Sequence, residues 1–267
     1  MNKHLVFLKL GGSLITVKNR PHTPRLEVLE RLAMEIAEAL GQDPGLQILL
    51  GHGSGSFGHT SASHYHTREG VSTLPEWQGF AEVWRDAAEL NQLAMATFEN
   101  ARLPVIVFPP SAQVITRNGR VTIWDIDPIR AALAKGLIPV IYGDVAFDQA
   151  QGGTILSTED LFAYLAIELK PDHLLFAGME PGVWVDFPDN HRLLDEITPT
   201  SFPRVEPKLK GSASTDVTGG MLDKVQQVVT LVAKLPETQG MIFSGEIPGN
   251  IRRALLGEHL GTIIHAG

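Results

Sequence analysis

The sequence predicts an α/β fold, a mainly parallel open sheet sandwiched by helices with accessory β-hairpins, on three observations. Short apolar, β-branched runs recur along the chain without polar alternation, as strands buried on both faces require. Between several of them apolar residues fall at three- and four-residue steps, the spacing of an amphipathic helix. The chain has 267 residues, 43% hydrophobic and 19% charged, which suffices for one large core and is too apolar for extended disorder.

HLVFLKL (4–10) reads as a first strand and not as a secretory leader, because Lys9 interrupts the apolar run and no small-residue cleavage site follows. A helix is expected over 24–40, where Leu26, Leu29, Leu32, Ile36 and Leu40 share a face, with Thr23 as N-cap, Pro24 at N1 and Gly41 as the stop. LQILL (46–50) is the second strand, and a long helix over 75–100 leads to PVIVF (104–108). QVIT and RVTIW flank Asn118-Gly119, a strong hairpin signal. Asp127 caps a helix over 128–135 that Gly136 ends, and IPVIY (138–142) follows as a strand. Residues 144–156 read as a looser hairpin, 159–169 as a helix, HLLFA (173–177) as a strand, and 183–195 around FPDN as a third hairpin. A helix over 220–235 and a strand at GMIFS (240–244) complete the pattern. Alternating strands and helices are the signature of a doubly wound sheet. There is no internal repeat or low-complexity segment, so 1–267 is expected to be a single domain, its two lobes dividing near Lys170-Pro171.

The formal net charge of -8 leaves no basic surplus for nucleic acid or an anionic membrane surface, so any phosphate site must be local. The absence of cysteine excludes disulfides, thiolate catalysis and thiolate metal sites, and fits a cytoplasmic protein. No apolar run approaches the roughly 20 residues that span a bilayer.

Four stretches carry chemistry. KLGGSL (9–14) follows the first strand: Gly11 and Gly12 let backbone amides approach an anion, Ser13 adds a hydroxyl and Lys9 a charge, although Gly-Gly after a strand also makes a plain tight turn. It is neither a Walker A nor a G-x-G-x-x-G motif. GHGSGSFGH (51–59) follows the second strand and reads as a glycine loop at a strand's carboxyl end, where open α/β sheets bind ligands. The alternative is a surface loop, or a metal site using His52, His59, His64 and His66, which lacks cysteine and a regular carboxylate partner. In STDVTGGMLDK (214–224), Thr218, Gly219 and Gly220 present amides at a helix N-terminus, with Lys224 one turn in. STED (157–160) heads another helix, and Asp144 ends a strand; such a carboxylate either holds the lysines or simply caps its helix.

These stretches, in this order and over nearly the whole chain, resemble the amino acid kinase superfamily and, within it, the isopentenyl phosphate kinases. The matching motifs are KLGGSLIT.K, HG.GSFGH, PVIYGDV, ILSTED, the GV after strand 173–177 and STDVTGGM..K. The resemblance implies that family's three-layer fold, with 1–171 as acceptor lobe and 172–267 as nucleotide lobe. It implies ATP-dependent phosphorylation of isopentenyl phosphate to isopentenyl diphosphate, and a homodimer. Magnesium is expected with the nucleotide, bridging its phosphates, with no protein metal ligand, and the charge and apolar runs leave neither nucleic acid nor membrane as an expected partner. Carried over by position, Lys9 and Lys18 would contact the transferred phosphoryl group, Lys9 and Lys224 would bind the ATP phosphates, and Lys9, Lys18, His59, Glu159 and Lys224 would make up the catalytic set. Gly11, Gly12, Ser13, Gly55, Gly178, Gly182, Gly219 and Gly220 would line the ATP site. Ser54, Gly58, His59 and Thr158 would hold the acceptor, His59 meeting its phosphate. Three features differ from the family pattern: Ser54 replaces the middle of three glycines, STED replaces S-G-D-D so that Glu159 would orient the lysines, and GMEPG (178–182) leaves Glu180 as the nucleotide loop's only acid.

A prenyl acceptor also needs an apolar pocket, and Phe80, Val83, Trp84 and Ala87 on the 75–100 helix would line it, unless they are plain core. A kinase for another small acid, such as a fosfomycin kinase, and a noncatalytic anion-binding relative are the alternatives. The first would want a polar acceptor pocket, and the second would tolerate fewer placed lysines.

Overall fold

In the computed structural model, residues 3–186, 189–209 and 220–267 are described, apart from the side chains of 59, 60 and 63. The first half of the chain supplies β1 (His4–Leu10), α1 (Gly12–Ile15), α2 (Leu26–Gln42), β2 (Leu46–His52), α3 (Gly55–Tyr65), a 3-10 turn (Thr67–Glu69), α4 (Leu74–Asn100), β3 (Val105–Val107), α5 (Pro110–Gln113), β4 (Val114–Arg117), β5 (Arg120–Trp124) and α6 (Asp127–Ala134). After it come β6 (Ile138–Tyr142), β7 (Asp144–Asp148), β8 (Gly152–Leu156), α7 (Thr158–Leu169), β9 (His173–Gly178), β10 (Glu196–Ile197), α8 (Phe202–Leu209), α9 (Gly220–Lys234), β11 (Gln239–Ser244), α10 (Asn250–Leu255) and β12 (Thr262–Ile264).

Among these residues an eight-stranded sheet runs in the order β10-β12-β11-β9-β1-β2-β6-β3, parallel throughout except between β11 and β12. The apolar runs earn both faces of burial. Along β1, Val6, Leu8 and Leu10 join one core with α2, α4 and α10, while Phe7 joins a second core with α6, α7 and α9. Alternation along a strand thus feeds two helical layers. The two expected hairpins form a small separate sheet, β5-β4-β7-β8. Asn118 and Gly119 both take positive φ, 51° and 71°, as a two-residue primed turn demands.

Several boundaries differ from expectation. The helix expected from residue 24 begins at Leu26, because Pro24 bridges to Thr16 and the Arg25 N–H is taken by the Ile15 carbonyl; Thr23 is therefore no cap, and Gly41 lies inside the last turn. Asp127 is the first residue of α6, not its cap; the Asp125 carboxylate accepts its N–H instead. The third hairpin reduces, among described residues, to one bridge between Trp184 and Leu193. The unexpected β10 and β12 are edge strands of two and three residues, too short to show a period. No helix among the described residues is long and apolar enough to cross a membrane.

Candidate active site

Strand register sets the site. Leu10 pairs with His52 and with Ala177, His52 with Tyr142, and Gly178 with Ser244, so the carboxyl ends of β1, β2, β6, β9 and β11 lie in one row. The strand order turns at β1, with β2 on one side and β9 on the other. In open α/β sheets the crevice beside such a reversal is where ligands bind.

The two glycine turns at this edge pack backbone on backbone. A Cβ on Gly12 would lie 2.5 Å from the Gly55 nitrogen, and one on Gly53 2.9 Å from the Gly12 nitrogen. Thr16, buried beside them, donates its hydroxyl to the Gly12 carbonyl (2.8 Å) and accepts the Ser56 N–H (2.9 Å). GHGSGSFGH is consequently not an open loop: the turn is Gly53-Ser54 alone, and Gly55, Gly58 and His59 belong to α3. Gly55 starts that helix at φ +51°, and Gly58 leaves room for the Ser54 hydroxyl, from which a Cβ would stand 2.7 Å. The side chain of His59 lies outside the described residues.

Lys9 follows Phe7 by two residues, so it shares the face that α7 covers. Only 8% exposed, its ammonium meets the Glu159 carboxylate in the first turn of α7. Gly51 makes this meeting possible. It is Lys9's partner on β2, and a Cβ there would lie 2.5 Å from Thr158 Cγ2 and 2.8 Å from the Phe162 ring, so α7 can seat only over a glycine. Thr158, assigned above to the acceptor, is buried and gives its hydroxyl to the His52 carbonyl (2.6 Å), fastening α7 to β2. Both readings of STED hold, on adjacent residues: Asp160 forms a capping box with Ser157, while Glu159 faces the lysine. Burial alone would raise the Glu159 carboxyl, but the Lys9 and Lys224 charges outweigh it and hold the group below its ordinary value. It is ionised at neutral pH. Asp144 is instead turned to the Ser111 and Val145 N–H groups, and burial pushes its carboxyl up to about 6.

Gly51→Ala is therefore expected to overpack this seam, destabilising the fold by about 1–3 kcal/mol and lowering turnover by shifting Glu159 off Lys9. Thermal unfolding and kcat measured together check it; a wild-type value for both would show that α7 does not depend on the glycine.

The other assigned residues are spread along the same edge. Gly11 follows β1 and Ser13 is exposed on α1; Lys18 is exposed on the turn between Thr16 and Pro24. Gly178 ends β9 with open space at its Cα, whereas Gly182 packs on Thr262, and Glu180 accepts the Trp184 indole N–H (2.7 Å). Gly220 starts α9 at φ +68° and Lys224 lies half-buried one turn on; Thr218 and Gly219 fall outside the described residues. On α4, Phe80 and Val83 are buried in a small cluster with Ala62 of α3 and Val145 of β7, and Ala87 is buried one turn on. Trp84 does not join them. It is 45% exposed, and at about 100° per residue it stands roughly 90° from the middle of the buried face.

Sequence reasoning missed Gly51 and Arg25. A glycine inside an apolar strand, a sign of close backbone approach, was the available signal for the first. No signal marked Arg25. Of the histidines considered for a metal, His52 is buried, stacked on Tyr142 with ring centroids 5.5 Å apart and 3.1 Å from both the Gly53 carbonyl and Asn91 Oδ1; burial pushes its pKa down. Among the described residues no group of three metal-ligating side chains is assembled.

The chain matches the profile of the Amino acid kinase family over residues 4–244. It is 35% identical to an isopentenyl phosphate kinase of Methanocaldococcus jannaschii over 97% of this chain and 98% of that protein, and 34% identical to one of Methanothermobacter thermautotrophicus with the same coverage. A solved isopentenyl phosphate kinase structure, 30% identical, superposes with a TM-score of 0.79 and covers 98% of this chain and 100% of that one. A profile and relatives that span the strand ends, both glycine turns and the Lys9–Glu159 pair leave one conclusion: the chain belongs to the amino acid kinase family, on the branch of the isopentenyl phosphate kinases.

Proposed function

We propose that this protein transfers the γ-phosphoryl group of ATP to isopentenyl phosphate, giving isopentenyl diphosphate and ADP. The observation that carries the reading is the buried Lys9–Glu159 pair, on the strand that leads into one of two packed glycine turns at the carboxyl edge of the sheet, in a chain of this family. A monophosphate oxygen is already anionic near neutral pH, so no general base is needed; charge neutralisation and in-line placement suffice. Glu159, ionised between the Lys9 and Lys224 fields, holds those cations for the transferred group, and Lys18 reaches it from its exposed turn. ATP takes the 172–267 side, along Gly178 and the start of α9, with Gly11, Gly12 and Ser13 at its phosphates. Magnesium rides on the nucleotide: the carboxylate at the site is committed to a lysine and is not offered as a ligand. The acceptor takes the 1–171 side, with Ser54, Gly58 and His59 near its phosphate and the tail toward the Phe80 and Val83 cluster. A cytoplasmic homodimer completes the reading.

A coupled ADP-release assay over isopentenyl phosphate, fosfomycin and a short hydroxylated phosphate tests the reaction. Burying each methylene contributes about 0.8 kcal/mol, so kcat/KM should be highest for isopentenyl phosphate. A preference for fosfomycin, or no ADP release with any acceptor, would overturn it. His59→Ala should raise the acceptor KM and leave ATP affinity unchanged by calorimetry; an equal loss of ATP affinity would mean that the α3 histidine serves the nucleotide.

A further inference from the structure

Arg25 is the residue at which the Lys18 turn meets the nucleotide side. The turn between Thr16 and Pro24 closes at its base by their bridge and by the Arg25 N–H to the Ile15 carbonyl (2.8 Å). From that base the Arg25 guanidinium spans a gap. It donates to the Leu14 carbonyl of α1 (3.1 Å), touches the Met179 sulfur after β9 (3.5 Å), and forms a two-pronged ion pair with Glu246 after β11. Arginine's planar fork suits such simultaneous contacts, and a lysine's point charge does not.

The far end is itself rigid. The Gly245 N–H binds the Gly178 carbonyl (2.8 Å), and the Ser244 hydroxyl donates to the Met179 carbonyl (3.1 Å) while accepting the Glu246 N–H (3.2 Å). Nearly two turns along α2, Arg31 donates to the Gly245 carbonyl (2.7 Å), so the helix grips this corner twice. The limb of the turn that returns to Pro24 is tied elsewhere as well: His22 Nδ1 lies 3.2 Å from Glu89, and its ring meets Phe57 edge-on at 5.0 Å. Arg25 holds the base.

We propose that Arg25, through Glu246, is a positioning residue that sets the Lys18 turn against the 244–246 corner. Its effect on turnover rests on the phosphoryl-transfer reading above; its effect on the turn does not. Two measurements on Arg25→Ala, Arg25→Lys, Glu246→Gln and the Arg25→Ala/Glu246→Gln double variant separate the two. The first is limited trypsin digestion with the fragments weighed. Arg20 precedes Pro21, a bond trypsin passes over, so a cut in the turn falls after Lys18. That cut should come about tenfold faster in Arg25→Ala than in the wild type, less so in Arg25→Lys, and no faster again in the double variant, because one pair carries the restraint. The second is steady-state kinetics: Arg25→Ala should lower kcat by up to about 100-fold while the acceptor KM stays put, the pattern of a displaced transition-state group.

A cutting rate within about twofold of wild type in folded Arg25→Ala, or single-variant effects that multiply in the double, overturns the proposal. So does a loosened turn with unchanged kcat. A loosened turn in a protein whose wild type fails on isopentenyl phosphate keeps the anchor and removes the reaction.

Discussion

Glu159→Gln should cost the fold about 3–5 kcal/mol, because it leaves the Lys9 ammonium buried without its counter-charge. The sign with pH follows from the lowered carboxyl. A group held below its ordinary value adds stability that is present above its unfolded pKa, near 4.5, and is lost as pH falls through the lower folded value. Wild type should therefore lose this increment on acidification, and Glu159→Gln, having already lost it, should show a flatter acid limb. Glu159→Asp keeps the charge one methylene short; it should recover much of the stability and less of the turnover, since Lys9 is then held at the wrong reach. Urea unfolding across pH, with kcat for each variant, is the measurement. A Gln variant as stable as wild type at pH 7 would mean that the pair does not set the state of Lys9.

Lys18→Ala and Lys224→Ala should each raise the barrier to transfer by about 2–4 kcal/mol, the range seen when one electrostatic stabiliser is removed from a transition state. Their stability effects should differ. Lys18 is exposed on its turn, so its removal should leave unfolding within about 0.5 kcal/mol of wild type, and a fall in kcat there is chemistry alone. Lys224 contributes to the field on Glu159, so its loss should also let the Glu159 carboxyl rise. Turnover that is unchanged in both variants would remove the lysine mechanism; a loss appearing only as a higher ATP KM would make these cations binding groups.

Much of this was open to reading along the chain, because strand and helix signals are local. The buried runs at 4–10, 138–142 and 173–177 and the hairpin at Asn118-Gly119 need only near neighbours to declare themselves, and the structure keeps them with shifts of a residue at most. The helix over 75–100 also holds, since Thr73 and Glu76 cap it from within. The α3 helix was hidden. Four glycines in nine residues look like a loop, and what makes a helix of them is the contact of Gly12 with Gly55 and the Thr16 hydroxyl from 40 residues away.

Residue type and spacing were enough for the layered α/β class, the order of the longer strands and helices, the chemistry-bearing motifs and their likeness to a kinase family. The tertiary structure alone decided why Gly51 must be bare, that Thr158 gives its hydroxyl to the His52 carbonyl, that Trp84 leaves the Phe80 cluster, and that Arg25 joins the Lys18 turn to Glu246. Each of these joins residues from different elements across the fold, and spacing along a chain carries no information about which distant side chains the sheet register brings within 3 Å.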